Sequence, residues 1–431
     1  MKKLLKSFAI LIYISALASA QSMQSREWKN WIVKNSTAIS LNGSENYNDL
    51  KFLKKIIGKN RIVQLGEGGH GMKEFFQVKA RLVKFLHQEM GFEVVAFESS
   101  LYQCYRSDQF AAEMDPQKSL LDCVFGVWHT KEVLNLFEYI KKSRSSAKPL
   151  HYIGFDIQPI GQNKKDRPAF LKGIVSRVDA KYAKEVFELD SFFLREYAKN
   201  PRQRRESFRE NREVFVNGYE KLAKFIEVHR AEFKGIQNEK DILVAGQTAR
   251  FLAQYIRQQT APDLKAYVEL RDEGMAGNID FIANKLYPNK KIIVWGHNAH
   301  VRYRNEEITP TKEVFPGIAT RMMGSWLKDK YAEDIYTFGL YAYSGSATNN
   351  SREVYQIADP EDGMFEGFFS RAKSEVEFVD FRENRKKKEL SWMFKPVKVR
   401  YNGESLLEMI MPEQYDGVIC IKTVSTPEYL Y

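Results

Sequence analysis

The side chains best suited to chemistry lie where short apolar runs of the sequence end. One run stops at Gly66-Glu67-Gly68-Gly69-His70, which places an acid and an imidazole on a turn whose glycines could let a substrate approach the backbone. Three further apolar runs end on Glu98, on Asp156 and on His297. Open α/β sheets bind ligands at the carboxyl ends of their strands, so we expect these groups to share one cleft.

Among these groups, His70 is the candidate general base, because imidazole can take a proton from water near neutral pH. A neighbouring carboxylate would hold the ring in one tautomer, a role open to Glu67 or Glu98. His297 and His300 are three residues apart, which on a first helical turn brings both rings to one side. This pair could contact substrate, stabilise an oxyanion, or bind a metal ion together with the strand-end groups.

Three charged residues near these motifs are candidates for binding substrate. Lys79 falls on the helix predicted after His70, and Arg271 is expected at the start of the helix that leads to the fourth apolar run. Asp156 ends the third run. The chain has neither an H-E-x-x-H zinc motif nor a G-x-S-x-G elbow, so activated water is the expected nucleophile.

The elements that must position these residues alternate between strand and helix. Short apolar runs separated by helical patterns predict a parallel sheet with right-handed crossovers. Strand patterns vanish between residues 164 and 280, where apolar residues recur at helical spacing and predict a bundle whose edge walls the cleft. After His300 the pattern is mixed, and its last strands alternate as antiparallel or edge strands do.

The predicted fold class is therefore α/β, with a mostly parallel central sheet flanked by helices, a large helical insertion and a mixed C-terminal part. The predicted units are a signal peptide at 1–20, the first part of the α/β core at 21–163, the helical insertion at 164–280 and the second part of the core at 281–431.

Composition limits the class of protein. The chain has 431 residues, of which 44% are hydrophobic, and a formal charge of +11. This suits a folded, basic enzyme, and no basic helix interleaved with aromatics indicates a nucleic-acid partner. No segment beyond the N-terminus approaches about 18 uninterrupted apolar residues, so no membrane span is predicted. The oligomeric state stays open.

Residues 1–20 have the features of a secretory signal peptide, with a positive start, an apolar core and an A-x-A site at Ala18-Ser19-Ala20. We predict cleavage after Ala20 and a location in the periplasm or outside the cell. In such an oxidising compartment Cys104 and Cys123 could pair or stay free, and the spacing leaves both open. Cys420 lies in an apolar strand pattern and is expected to be an inert core thiol.

Several motifs together resemble the erythromycin esterase family. They are Gly66-Glu67-Gly68-Gly69-His70 with Glu74-Phe75, Phe97-Glu98-Ser99, and Trp295-Gly296-His297-Asn298-Ala299-His300. The similarity runs from about Tyr47 to the end and includes the closing segment Tyr415-Asp416-Gly417-Val418-Ile419. The family often has an arginine where this chain has Lys79, which keeps the charge but loses the two-pronged donor.

The resemblance implies an α/β core with a helical subdomain, and hydrolysis of a macrolide lactone by water. His70 would be the general base, with Glu67, Glu98 and His297 in the same cleft and His300 as a further contact. No metal or other cofactor is implied. We therefore predict a hydrolase of a small macrolide-like ester or lactone, with antibiotic resistance as an associated role.

Two alternatives to this prediction remain. One is a metal-dependent hydrolase of another substrate that uses His70, His297 and His300. The other is a binding protein that kept the cleft and lost turnover.

Overall fold

The computed structural model describes residues 22–41, 46–159, 165–235, 238–310 and 318–431. The predicted signal peptide and the predicted boundary between residues 163 and 164 lie outside these ranges.

The described residues form two sheets. In chain order the strands are β1 (Thr37–Ala38), β2 (Ile62–Leu65), β3 (Phe92–Ser100), β4 (His151–Asp156), β5 (Lys291–Trp295), β6 (Thr309–Pro310), β7 (Ile335–Thr348), β8 (Val354–Ile357), β9 (Val376–Asp380), β10 (Val397–Tyr401), β11 (Ser405–Met409) and β12 (Gly417–Val424). The large sheet has the order β1-β9-β12-β7-β2-β5-β3-β4, with β8 also paired to β7, and the small sheet has the order β10-β11-β6.

Helices cover both faces of the large sheet. They are α1 (22–35), α2 (Leu53–Ile57), α3 (Lys73–Met90), α4 (Leu101–Gln109), α5 (Pro116–Cys123), α6 (Lys131–Ser143), α7 (Arg167–Val175), α8 (Ala180–Tyr197), α9 (Pro201–Glu210), α10 (Arg212–Val228), α11 (Arg230–Phe233), α12 (Glu239–Gln259), α13 (Leu264–Phe281), α14 (Asn298–Val301), α15 (Met323–Tyr331) and α16 (Met411–Gln414). In the part of the chain that the structure describes, no helix is both long and apolar enough to cross a membrane.

The central strands are parallel and buried on both faces, which explains their near-continuous apolar runs. β2 pairs in parallel with β5 and β7, and β3 pairs in parallel with β5 and β4. Alternate residues of each strand enter two separate cores: Val94 and Ala96 pack with the helices after β4, while Val95 and Phe97 pack with α3 and α6. The predicted α/β class with a mostly parallel sheet is confirmed.

The helices α7 to α13 lie between β4 and β5 in the chain and share one apolar core with the sheet. α13 returns to the sheet, where Asn278 Nδ2 donates to the carbonyl oxygen of Phe155 at 2.9 Å. This contact brings the middle of α13, with Arg271 and Asp272, to the carboxyl end of β4. The expectation that Arg271 begins this helix was wrong, because α13 starts at Leu264.

The last strands were expected at antiparallel or edge positions, and the antiparallel pairing is confirmed. β12 is not an edge strand: it lies inside the sheet, antiparallel to β9 and parallel to β7. Gly417 to Ile421 are all buried, and the apparent alternation comes from the exposed Lys422 and Thr423 at the end of the strand. By contrast, β10 and β11 form a hairpin outside the main sheet.

The structure pairs the two cysteines whose pairing the sequence left open, and it buries the third as expected. Cys104 of α4 and Cys123 of α5 form a disulfide that links the two helices. Cys420 is a buried free thiol on β12, and burial raises its pKa well above the ordinary value.

Candidate active site

The predicted site residues follow neighbouring strands. β2, β5, β3 and β4 lie side by side in that order. Their carboxyl ends therefore form a row in which Glu67 and His70 follow β2, His297 follows β5, Glu98 lies near the end of β3 and Asp156 ends β4. The structure brings these groups together as the pattern of apolar runs predicts.

The turn after β2 is held against the protein's own backbone. A Cβ atom on Gly66 would lie 2.1 Å from Asn298 Oδ1 and 2.8 Å from the Phe338 carbonyl oxygen, so only glycine fits. Asn298 also donates its backbone N–H to the Glu67 carbonyl at 2.8 Å and its side-chain amide to Leu340 O at 2.9 Å. Gly66 thus permits close packing within the protein, and not the substrate approach that we expected.

His70 is oriented by Glu67. Its Nδ1 lies 2.7 Å from Glu67 Oε1, an oxygen that also accepts a hydrogen bond from Trp128 Nε1 at 3.0 Å. A carboxylate at Nδ1 places the ring proton there and leaves Nε2 as an acceptor. Nε2 has no hydrogen-bond partner among the described residues, and the His70 side chain, 20% exposed, borders the cavity.

Lys79 lies behind Glu67. Its ammonium donates to Glu67 Oε2 at 2.6 Å and to the Gly296 carbonyl at 3.3 Å, and it lies 4.3 Å from the centre of the Trp295 ring. Both members of the ion pair are fully buried, and burial lowers the pKa of Lys79 to about 8 despite the attraction of Glu67. This position gives Lys79 no access to a substrate, which was its predicted role.

His297 is held as a neutral ring. As the N-cap of α14, it accepts the Ala299 N–H at Nδ1, at 3.1 Å. Its proton is therefore on Nε2, which donates to Asn402 Oδ1 at 2.9 Å. Burial lowers the pKa of His297 well below the ordinary value. The centres of the His70 and His297 rings are 5.0 Å apart.

Glu98 is held by three donors. Its Oε2 accepts the backbone N–H of His297 at 2.8 Å, and its Oε1 lies 3.0 Å from Arg271 Nη2 and 3.2 Å from His300 Nε2. Burial alone would raise the pKa of Glu98, but the charges of His300 and Arg271 hold it well below the ordinary value. Glu98 is thus an anion whose oxygens are already engaged.

His300 and Arg271 are the cations of this cluster. His300 Nδ1 lies 2.7 Å from Asp272 Oδ1. Burial opposes its charge, but Asp272 and Glu98 outweigh burial and raise the pKa of His300 to about 10. Arg271 Nη2 donates to Asp156 at 2.6 Å, and Asp156 is fully buried. The structure therefore places Asp156 as a partner of Arg271 outside the cavity lining.

These residues surround a cavity of about 550 Å³, a volume typical of small-molecule sites. Five of the predicted residues line it: His70, Glu98, Arg271, His297 and His300. Much of the remaining wall is aromatic or apolar and comes from Phe125, Val127, Trp128, Tyr267, Val268, Ile318, Met322 and Tyr401. A second cavity of about 290 Å³ adjoins it and shares His70, Asn350 and Asn402.

Sequence reasoning missed three polar partners of the site, namely Trp128, Asp272 and Asn402. Asp272 was visible beside Arg271, but its link to His300 required the packing of α13. Trp128, at the end of a short 3-10 helix, and Asn402, in the turn between β10 and β11, lie far along the chain from the groups that they contact, and no motif marks them. Among the described residues, no group of three or more His, Cys, Asp or Glu side chains is arranged to hold a metal ion.

The chain matches a known protein family. The family model for erythromycin esterase matches residues 87–424, so the chain belongs to the erythromycin esterase family. This membership confirms the resemblance seen in the sequence and supports a hydrolase.

Individual relatives agree with the family. The Bacillus subtilis (strain 168) protein named "Putative hydrolase YbfO" is 32% identical over 96% of this chain and 95% of its own length. Erythromycin esterase type II of Escherichia coli is 22% identical over 94% of this chain and 99% of its own length. A mutant of the erythromycin esterase EreC, solved in its open conformation, has the same fold, with a TM-score of 0.67 and 18% identity over 90% of this chain and 96% of that one.

Proposed function

We propose that the protein hydrolyses a carboxylic ester or lactone and that His70 activates the attacking water. One observation carries the proposal: buried Glu67 holds Nδ1 of His70 at 2.7 Å, while the ring borders the cavity and its Nε2 has no hydrogen-bond partner among the described residues. A neutral imidazole with an unoccupied acceptor nitrogen is the form that a general base requires.

Neither of the other two histidines in the cleft suits this role. His297 uses Nδ1 to accept the Ala299 N–H and Nε2 to donate to Asn402. His300 is a cation near neutral pH, because its pKa is raised to about 10. His70 is therefore the base that we propose, with Glu67 as the residue that positions it.

A macrolide lactone is one candidate substrate. Its support is the name of the Escherichia coli relative, erythromycin esterase type II, which aligns over nearly its whole length. The apolar and aromatic wall of the cavity would suit the hydrocarbon part of such a lactone, and also that of other esters. We therefore propose ester hydrolysis as the reaction and a macrolide as the first substrate to test.

The test is a mass-spectrometric screen of macrolides and simple esters for the gain of one water molecule. The wild-type protein is expected to convert at least one compound, and His70→Ala to lose that activity by about 10²-fold or more, the usual contribution of a general base. His229→Ala is the matched control, because His229 lies outside the cleft and pairs with Glu232. Near-full activity of a folded His70→Ala variant would refute the assignment.

The same assay distinguishes hydrolysis by His70 from the two alternatives, a metal-dependent hydrolase and a binding protein without turnover. A metal-dependent hydrolase would lose activity in a chelator and regain it with zinc. A binding protein without turnover would retain a ligand in the cleft and release no product.

A further inference from the structure

Arg352 lies in a strained turn at the edge of the cleft. The turn joins β7 to β8, and its residues Asn350 and Arg352 border the main cavity. Arg352 has a φ of 66°, a left-handed conformation that glycine and asparagine adopt more readily than arginine. Such a conformation persists only where the surrounding contacts outweigh its local cost. The contacts of the Arg352 guanidinium group supply that compensation.

The guanidinium group joins two segments that are distant in the sequence. Its Nη1 donates to the Tyr431 carbonyl oxygen at 2.6 Å, and its Nη2 donates to the Gly126 carbonyl oxygen at 3.4 Å. The group also lies 4.3 Å from the ring centre of Tyr429 and 4.8 Å from that of Tyr431, within the range of a cation–π contact. Both hydrogen bonds go to main-chain oxygens, so they fix the course of the chain. Arg352 therefore clamps the segment around Gly126 to the segment 429–431.

Residues 125–128 form one wall of the cavity, and the segment 429–431 supports this wall. His129 Nε2 faces the Val124 carbonyl oxygen at 3.0 Å and therefore carries the ring proton, so Nδ1 accepts a hydrogen bond from the Tyr431 hydroxyl. The Leu430 N–H donates to the His129 carbonyl oxygen at 3.0 Å. The wall is thus held at its two ends, and Arg352 fastens it between them.

The 125–128 wall ends at Trp128, which contacts the proposed base and the carboxylate that orients it. Trp128 is 1% exposed, and its Nε1 donates to Glu67 Oε1 at 3.0 Å. The same oxygen lies 2.7 Å from His70 Nδ1, and the centres of the Trp128 and His70 rings are 5.3 Å apart, edge to face. Hydrogen bonds depend steeply on distance and angle. A displaced wall would therefore disturb the oxygen that orients His70.

We propose that Arg352 is a positioning residue for the reaction. It holds the 125–128 wall so that Trp128 keeps the Glu67 carboxylate, and with it the His70 ring, in the orientation that general-base catalysis requires. Arg352 acts through Trp128 and not through a contact with substrate. This inference rests on the proposed ester hydrolysis and goes beyond it by assigning a residue outside the base and its carboxylate.

Two substitutions remove the guanidinium group and keep the turn. Glycine and asparagine both accept a φ of 66°, so Arg352→Gly and Arg352→Asn leave the backbone unstrained. With para-nitrophenyl butyrate as substrate, both are expected to lower kcat by about 10–10²-fold with a smaller change in KM, because the geometry of the base matters most in the transition state. Ala332→Gly is the matched backbone control: Ala332 is exposed, has a φ of 42° and lies at the end of α15, so this variant should retain the wild-type kcat.

A double-mutant cycle with Trp128→Phe tests whether Arg352 acts through Trp128. Phenylalanine keeps an aromatic wall and removes the N–H group that Glu67 accepts. In the Trp128→Phe background, Arg352→Gly should change kcat by less than about threefold, because the contact that it disturbs is already absent. Losses that multiply would show that Arg352 acts independently of Trp128, for example on the substrate itself, and would overturn the inference.

Acrylamide quenching of tryptophan fluorescence reports the position of Trp128 without any substrate. The chain has six tryptophans, and the difference between wild type and Trp128→Phe isolates the signal of Trp128. Measured in the same way in the Arg352→Gly background, that signal should become more accessible to the quencher, because a wall without its clamp exposes the buried indole.

Two results would overturn the inference directly. One is a kcat within about twofold of the wild-type value in both Arg352 variants, and the other is unchanged quenching of Trp128. A wild-type protein that hydrolyses no ester would instead refute the proposed function, and the catalytic part of this inference with it. The quenching measurement would then still show whether Arg352 holds the wall.

Discussion

Lys79→Met probes the buried ion pair behind the proposed base. Lys79 and Glu67 are both 0% exposed, and their charged atoms are 2.6 Å apart. Methionine is of similar length but removes the ammonium, so the Glu67 carboxylate would remain in the interior with only neutral donors, His70 and Trp128. Removing one member of a buried pair is expected to lower the free energy of unfolding by about 3–5 kcal/mol.

The matched control is Lys73→Met on the same helix. Lys73 and Glu428 are also 2.6 Å apart, but their side chains are 26% and 49% exposed. Solvent screens such a pair, so its loss should cost about 0–1 kcal/mol. The two variants make the same chemical change at the same ion-pair distance and differ mainly in burial.

The loss of Lys79 should also alter catalysis. A buried Glu67 without its cation can avoid the charge by binding a proton, and its hydroxyl would then donate to His70 Nδ1. That would move the ring proton to Nε2 and remove the acceptor that the water requires. The acid limb of the activity profile should therefore move to higher pH, and kcat at pH 7 should fall by roughly 10²-fold, within the range for general-base catalysis. Lys79→Arg retains the charge and should retain the wild-type profile.

Equilibrium urea unfolding at pH 7 measures the stability effects, and the pH dependence of para-nitrophenyl butyrate hydrolysis measures the catalytic one. At this pH Lys79 is still a cation, because its pKa is about 8. Equal losses of unfolding free energy in Lys79→Met and Lys73→Met would refute the stability argument. An unshifted pH profile in Lys79→Met would refute the tautomer argument.

Two further predictions concern charge and export. The pKa of His300 is raised to about 10, so the stability that its charge contributes is complete below about pH 6.5 and is lost as the pH rises through 10. The difference in unfolding free energy between wild type and His300→Gln should therefore narrow over that range by up to about 1.4 kcal/mol per pH unit. A difference that stays constant with pH would contradict this prediction. We also propose that the chain is exported and that the mature protein begins at Gln21 with the Cys104–Cys123 disulfide formed. Intact-mass measurement with and without reductant tests both points. Cys104→Ser should lower the free energy of unfolding, measured by denaturant titration, by about 2–4 kcal/mol.

The row of functional groups was predictable because it depends on local patterns. Each apolar run marks a buried parallel strand, and the polar residue that ends it must lie at the carboxyl edge of the sheet. Glu67, Glu98, Asp156 and His297 could therefore be assigned to one edge without knowledge of strand order. The hydrophobic pattern of the sequence was therefore sufficient to place these four residues at one edge of the sheet.

The burial of Lys79 could also have been inferred. It lies four residues after Phe75 and three before Leu82, so it falls on the apolar face of α3 with these buried residues. A lysine at such a position needs a buried carboxylate. Glu74 and Glu89 are nearer in the chain but are not buried, and Glu67 on the preceding turn is the nearest one that is. The sequence thus contained the signal for an ion pair, although we interpreted the charge as a contact for substrate.

The roles of the histidines were beyond sequence reasoning, because long-range partners determine them. Glu67 leaves His70 an open acceptor, the start of α14 makes His297 a neutral donor, and Asp272 with Glu98 makes His300 a cation. His297 and His300, three residues apart in one motif, therefore have pKa values shifted in opposite directions. The sequence motifs cannot distinguish a neutral donor from a cation, since the distinction lies in side chains that only the fold brings to the rings.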